Sequence, residues 1–264
     1  MPTISACIVT YNSEDVVGDA LESMLTQTKE FPLTAYVVDN HSTDHTLSMI
    51  QEKFPQVICL PQPDNRGFGY GHNQVIPFLE SDYHVIINPD ITFDYDVLSR
   101  LAQYLEDHPD AVMATPAICN LDGTFQRVPK RLPTYHYMAS GMLEKFGGIF
   151  RQWRDEYTMT GVKFDKPTPI EFCTGCFMMI RTSLFKQLGG FDDQFFMYCE
   201  DADLSRRAGM YGKIMFLPDI RITHEWGRAS SKRWKFFKIH LQSQHLYFKK
   251  WRKQTAWLKK ENVI

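Results

Sequence analysis

The 264-residue sequence predicts an α/β fold with a mainly parallel central sheet. Two observations carry that expectation. Short apolar runs alternate with helix-like stretches through the first half, the pattern of crossover units that feed parallel strands. The runs also end in polar groups, at Thr10-Tyr11-Asn12, Asp39-Asn40 and Asn88-Pro89-Asp90. Ligands of open parallel sheets sit beyond such carboxyl ends.

The elements follow in order. Ile4 to Val9 reads as the first strand, and Tyr11-Asn12-Ser13 turns the chain into a helix with Ser13 as N-cap. Ala35 to Val38 is a second strand, after which Ser42 or Thr43 caps a helix to about Lys53. Val57 to Leu60 is a third, followed by a glycine-rich stretch and a helix from about Tyr70 to Leu79. In "HVIINPDITFD", Val85, Ile86 and Ile87 read as a buried strand, stopped by Pro89, which has no amide hydrogen for a sheet. A helix from about Tyr95 to Asp107 and a strand from Ala111 to Ala117 complete the regular part. Residues 120–170 mix Pro, Gly, aromatic and basic residues, with one helix expected near 135–146. Beyond them come a strand from Phe172 to Ile180, a short helix opening at Arg181-Leu184, and a turn at Gly189-Asp192. Glu200 to Arg207 has helical character, and Met215–Leu217 and Arg221–His224 are the last short strands.

Bulk numbers narrow the function classes. A composition 44% hydrophobic and 23% charged is that of a folded chain. No run of about 18 apolar residues appears, so no bilayer span is expected. Met1-Pro2-Thr3 leads straight into a strand, so no secretory signal is expected and the six cysteines should be reduced thiols in the cytoplasm. Cys173-Thr-Gly-Cys176 has redox or zinc spacing but no second such pair; buried small side chains are the better reading. The net charge of -2 conceals an asymmetry, since Lys232 to Lys260 hold ten Lys/Arg and no Asp/Glu. The body is acidic and the tail basic.

Several residues suit chemistry at the strand ends. Asp39 and Asp90 would lie near each other on one sheet edge, where a hard cation such as Mg²⁺ or Mn²⁺ takes oxygen ligands and phosphates. A turn residue or helix cap is the competing reading for either. "NRGFGYGHN" (Asn65 to Asn73) lets backbone approach a ligand closely, but its spacing fails the dinucleotide fingerprint. Arg66 beside it suits a phosphate or nucleotide, or is a surface arginine. Glu200, Asp201 and Asp203 crowd beside Phe195, Phe196, Met197 and Tyr198. Burial there would raise a carboxylate toward general-base range, although acids at a helix start also serve the dipole.

Taken together, "CIVTYN", "VVDNHSTD", "NRGFGYGHN", "INPDI", "GCFMMIR", "GGFDDQF" and "YCEDADLSRR" resemble family 2 glycosyltransferases of the GT-A fold, in the family's order. The NPD form is most similar to bacterial rhamnosyltransferases of cell-wall and capsular polysaccharide assembly. The resemblance implies that Thr10, Tyr11 and Asn12 line the nucleotide and that Asp39 holds its pyrimidine base, helped by Arg66. Asn88 would join them at the donor, standing where many members have an acidic residue. Asp90 would bind the divalent cation (Mg²⁺ or Mn²⁺), and His224 of "HEWGRAS" matches a metal-binding histidine of related enzymes; a satisfied core imidazole is the alternative. Asp201 would be the catalytic base, with Glu200 the other holder of that role. The implied reaction inverts configuration, moving L-rhamnose from dTDP-β-L-rhamnose to a polyprenyl-diphosphate-linked saccharide acceptor.

The expected organisation is a GT-A domain over 1–228, with a nucleotide half to about 118 and an acceptor half beyond, and a basic aromatic helical tail over 229–264. In that tail Trp234, Phe237, Leu241, Phe248, Trp251 and Leu258 fall at helical spacing among lysines and arginines. Such a segment lies on an anionic membrane surface, which implies a peripheral protein at the inner face of the cell membrane. Packing on the domain is the competing reading. A UDP-hexose donor and a non-enzymatic nucleic-acid- or membrane-binding module are the rival functions, and the acidic body argues against nucleic acid. Oligomeric state is left open, a homo-oligomer included.

Overall fold

A computed structural model of the chain describes residues 1–126, 129–225 and 233–260. In chain order the elements are β1 (Ile4–Thr10), α1 (Val17–Gln27), β2 (Leu33–Asp39), α2 (Thr46–Lys53), β3 (Ile58–Pro61) and α3 (Phe68–Asn73). There follow β4 (Tyr83–Ile87), β5 (Ile91–Thr92), α4 (Val97–Asp107), β6 (Ala111–Cys119), α5 (Tyr135–Leu143) and α6 (Gly148–Tyr157). The chain closes with β7 (Thr168–Ile170), β8 (Phe177–Arg181), α7 (Thr182–Gln187), α8 (Glu200–Ala208), β9 (Lys213–His224) and α9 (Arg233–Lys260).

One sheet organises them, in the order β3-β2-β1-β4-β8-β6-β9-β5, with β7 on β9. Strands β3, β2, β1 and β4 run parallel, which the βαβ alternation requires. β8 enters antiparallel between β4 and β6, so the sheet is mixed in its second half. All residues of β1, β4 and β6 are buried. Such unbroken buried runs mark strands covered on both faces. The period of two sorts β1 between two cores: Ile4, Ala6 and Ile8 face α1 and α4, while Cys7 and Val9 share a cluster with Phe185, Phe191 and Leu204.

Expected caps moved. Ser13 does not cap α1, because Ser13-Glu14-Asp15-Val16 forms a turn first, and no side chain caps the helix. Ser42 does not cap α2, since its hydroxyl donates to Asp39. Thr43 Oγ1 instead lies against the Asn12 side-chain oxygen. Asp96 does cap α4, accepting from the Ser99 amide at 3.0 Å. The two expected last strands are one, β9, whose pairing with β6 shifts register between Pro116 and Ala117.

The tail is a single helix that packs on the body. Ser243, Tyr247, Lys250 and Trp251 recur at the i, i+4, i+7, i+8 spacing of one face. Tyr247 and Trp251 are buried with Phe172, Phe195, Cys199 and Ala202. This corrects the expected membrane stripe: Trp251 is core, and Phe248 packs against that core and stacks on Tyr135 with ring centroids 4.0 Å apart. Only Trp234, Phe237 and Leu241 of the stripe are exposed, while the Leu258 side chain lies outside the described residues. No helix among the described residues is long and apolar enough to cross a membrane.

Candidate active site

Beyond the carboxyl ends of β1, β2 and β4 the expected residues fall into two neighbouring groups. In the first, the Asp39 carboxylate is buried and accepts from the Thr10 hydroxyl at 2.9 Å and from the Ser42 amide and hydroxyl. The register Thr10↔Asp39 across β1 and β2 makes that meeting obligatory. Asn12, at φ 53°, donates its amide to the Ser42 hydroxyl and accepts from the Thr43 amide through its side chain. Tyr11 is left exposed. The Arg66 guanidinium sits 3.9 Å over the Tyr70 ring, and the carbonyl of Gly67 accepts from the Asn40 side chain. These residues make a polar shelf held together by its own hydrogen bonds.

The glycines of "NRGFGYGHN" pack protein against protein, a correction to the expected ligand approach. A Cβ at Gly67, whose φ is +100°, would stand 2.1 Å from the Phe196 carbonyl oxygen. A Cβ at Gly69 would stand 2.7 Å from Phe191, and at Gly71 2.8 Å from Val9. Their absence lets α3 lie against β1 and against the loop leading to α8. The Phe68 amide donates to that same Phe196 carbonyl at 3.0 Å.

The second group lines a cleft of about 800 Å³. Asn88, Asp90, Glu200, Asp201 and His224 all face it, whereas Thr10, Tyr11, Asn12, Asp39 and Arg66 lie outside its lining. Asn88 is placed by its amide, which donates to the Cys176 carbonyl at 2.9 Å as the chain leaves β4. Asp90 meets His224 because β5 pairs with β9 in the register Ile91↔His224. The imidazole Nε2 lies 3.2 Å from Asp90 Oδ1, and Nδ1 lies 3.2 Å from the Gln126 side-chain oxygen.

Asp201 sits half-buried at the start of α8. Its Oδ2 accepts from the Gly175 amide at 3.0 Å and its Oδ1 from the Ala202 amide at 2.8 Å. A Cβ at Gly175 would come within 3.2 Å of the Asp201 Cβ, so glycine there lets the amide reach the carboxylate. Burial raises the Asp201 pKa, against the two amides and the charge of Lys130, which lower it. Glu200 is buried deeper, its Oε2 without a hydrogen-bond partner, and burial followed by the Asp201 charge pushes its pKa well up. Of the two, Asp201 is the carboxylate held in a fixed aim.

Two consecutive residues ahead of that pair take left-handed backbone, Tyr198 at φ 71° and Cys199 at φ 66°. Each such non-glycine position costs about 1–3 kcal/mol and persists only where surroundings over-determine it. Here α9 supplies the hold. Ser243 donates to the Met197 carbonyl at 2.7 Å, and His240 packs edge-on against the Tyr198 ring. One turn into α8, the fully buried Asp203 accepts from Arg207 at 2.8 Å, Lys250 at 2.7 Å and the Trp251 indole at 3.0 Å. The sequence offered Asp203 only as one acid of a cluster. Gln126, Lys130, Arg154 and Thr158 also line the cleft from the irregular region, where no periodicity signalled them.

Cys173 and Cys176 are free thiols. Burial pushes both up, Cys176 to about 12, so they stay protonated at neutral pH.

The comparisons decide the family. The glycosyl transferase family 2 model matches residues 5–189. The chain is a family 2 glycosyltransferase. It is 26% identical over 239 residues to the N-acetylglucosaminyl-diphospho-decaprenol L-rhamnosyltransferase of Mycobacterium tuberculosis, covering 85% of this chain and 76% of that one. It is 25% identical over 251 residues to the rhamnosyltransferase WbbL of Escherichia coli, covering 91% and 90%. Among solved structures it superposes on S. aureus TarS 1-349 with a TM-score of 0.63 at 19% identity, over 84% of this chain and 60% of that one. For the mannosyltransferase PcManGT of Pyrobaculum calidifontis the TM-score is 0.63 at 18% identity, over 88% and 59%. The family 2 transferase thus carries the GT-A fold of these structures, spanning less than two thirds of each.

Proposed function

We propose that this glycosyltransferase moves L-rhamnose from dTDP-β-L-rhamnose to a saccharide borne on a polyprenyl diphosphate, with inversion. The carrying observation is that the Asp90–His224 pair and Asp201 line one cleft beside the Thr10–Asp39 shelf. Both relatives' names support rhamnose as the sugar moved, and that of the Mycobacterium tuberculosis enzyme supports a diphospho-polyprenol acceptor.

The pair fits a divalent cation. Asp90 Oδ1 is buried without a hydrogen-bond partner, and a carboxylate oxygen beside an imidazole nitrogen suits Mg²⁺ or Mn²⁺. No group of three or more His, Cys, Asp or Glu among the described residues is arranged around a metal, so donor phosphates and water would complete its shell. Asn88 adds no charge where many family members have an acid. Held there, such a cation would offer Lewis-acid help to the leaving diphosphate.

The chain's own groups do the rest. Thr10, Tyr11, Asn12 and Arg66 position the nucleotide. Asp39 takes the base with whatever acceptor capacity Thr10 and Ser42 leave. Asp201 takes the proton of the acceptor hydroxyl, and its two amide donors keep one oxygen lone pair aimed into the cleft. Glu200, buried with its Oε2 unpartnered, is the second acid of the pair beside Asp201. The basic tail within 229–264 holds the 1–228 domain at the inner face of the membrane, with Trp234, Phe237 and Leu241 as its apolar contact.

Donor turnover measured across a panel of nucleotide sugars tests this reading. dTDP-rhamnose should be consumed, and only with a divalent cation present. Preference for a UDP-hexose, or full activity in excess chelator, would overturn the donor or the metal assignment respectively.

A further inference from the structure

We propose that Lys130 and Arg154 form a subsite for the diphosphate of the acceptor, beside the base Asp201. This deepens the acceptor reading above and rests on it. Both side chains line the cleft together with Asp201, Thr158, Thr174 and Tyr198. Lys130 is fixed by a backbone bridge to Phe172, and Arg154 projects from α6. The two cations are close enough that Arg154 adds to burial in pushing the Lys130 ammonium down, while Asp201 opposes them.

Adjoining carboxylates offset these cations only in part, Asp201 acting on Lys130 and Glu144 on Arg154. Among the described residues no carboxylate comes within ion-pair distance of Lys130. Arg154 has only Glu144, with Nε at 3.7 Å from Oε2, and that Nε is buried without a hydrogen-bond partner. Like charges brought together out of water repel, and an anion between them reverses the sign. A diphosphate suits both, because guanidinium forks onto paired oxygens and ammonium acts as a point charge. On a diphosphate-linked sugar the anion lies one ring away from the attacked hydroxyl. The donor phosphates already have the cation that Asp90 and His224 would hold, so an incompletely offset pair of cations beside Asp201 fits the second anion of the reaction.

Binding rather than turnover tests this, so that it stands apart from the donor reading. The full chain is titrated with an alkyl-diphospho-N-acetylglucosamine, with the neutral alkyl glycoside of the same sugar, and with dTDP. Wild type should prefer the diphospho compound. Lys130→Gln and Arg154→Gln should each cut that preference about ten-fold, as loss of a charge-assisted hydrogen bond does. Lys130→Arg, which keeps the charge, should retain most of it. The neutral glycoside and dTDP should bind all variants alike. The subsite is overturned if wild type shows no preference, if both glutamine variants keep it, or if they weaken dTDP in parallel. Failure to transfer rhamnose would sink the donor reading while leaving this result intact.

Discussion

His224 Nε2 lies 3.2 Å from Asp90 Oδ1, and the strand pairing Ile91↔His224 imposes that approach. A two-residue strand would be a marginal element by itself. Here it serves to bring the residue after Pro89 to the end of β9, and the Glu225 amide donates to the Asp90 carbonyl at 3.0 Å to lock the corner.

Asp90→Ala should therefore lose the metal-dependent part of dTDP binding while Tm stays close to wild type. His224→Gln should weaken it by a smaller step, since the carboxylate remains. Titrations of dTDP with and without Mn²⁺ read both. Unchanged metal dependence in Asp90→Ala would remove it from the ligand set.

For Asp201 the expected loss is chemical. Asp201→Asn keeps the shape and one hydrogen-bonding oxygen but cannot take a proton, so transfer should fall about 10²–10⁴-fold with donor binding unchanged. Because burial raises its pKa, the acid limb of kcat/KM should turn above the usual carboxylate range. Asp201 and Glu200 adjoin, so the limb reports the pair. Normal transfer by Asp201→Asn beside an inactive Glu200→Gln would exchange their roles.

Glu200 makes a stability prediction of definite sign. Its folded pKa is raised well above the ordinary 4.5, so the folded protein binds the extra proton. That contribution is fully present below the unfolded pKa and is lost as pH rises through the folded one. Glu200→Gln should accordingly raise Tm at neutral pH, leave it nearly unchanged under acid, and flatten the decline between. Thermal melts across pH decide it; a variant that melts lower at neutral pH would mean the charged form is stabilised.

The regular half of this fold was legible because βαβ units write themselves as apolar runs closed by polar corners. Ile4–Thr10, Leu33–Asp39 and Tyr83–Ile87 all emerged within two residues of expectation. Caps were less legible, since Ser13 and Ser42 advertise helix starts, but the Ser13 hydroxyl accepts from the Tyr11 amide and the Ser42 hydroxyl donates to Asp39. Lys130 and Arg154 left no signal at all, because residues 120–170 follow neither period and their meeting is tertiary. The tail misled differently. Its stripe omitted Tyr247, and a helical pattern in one sequence cannot say which apolar face finds a partner.

That division of the tail gives the last prediction. Trp251→Ala and Tyr247→Ala remove buried aromatics from the core that holds Asp203 and the Tyr198–Cys199 turn. Each should cost about 3–5 kcal/mol, lowering Tm and transfer together. A chain ending at Ser231 would lose both residues, so it confounds anchoring with folding. Trp234, Phe237 and Leu241 are the exposed part of the stripe, and replacing all three by serine should leave Tm unchanged. If the first turns of α9 contact an anionic bilayer, sedimentation of the triple variant with anionic vesicles at low salt should fall, with basic residues still giving salt-sensitive attraction of about 1 kcal/mol each. A triple variant that sediments like wild type would show that these three side chains do not enter the lipid.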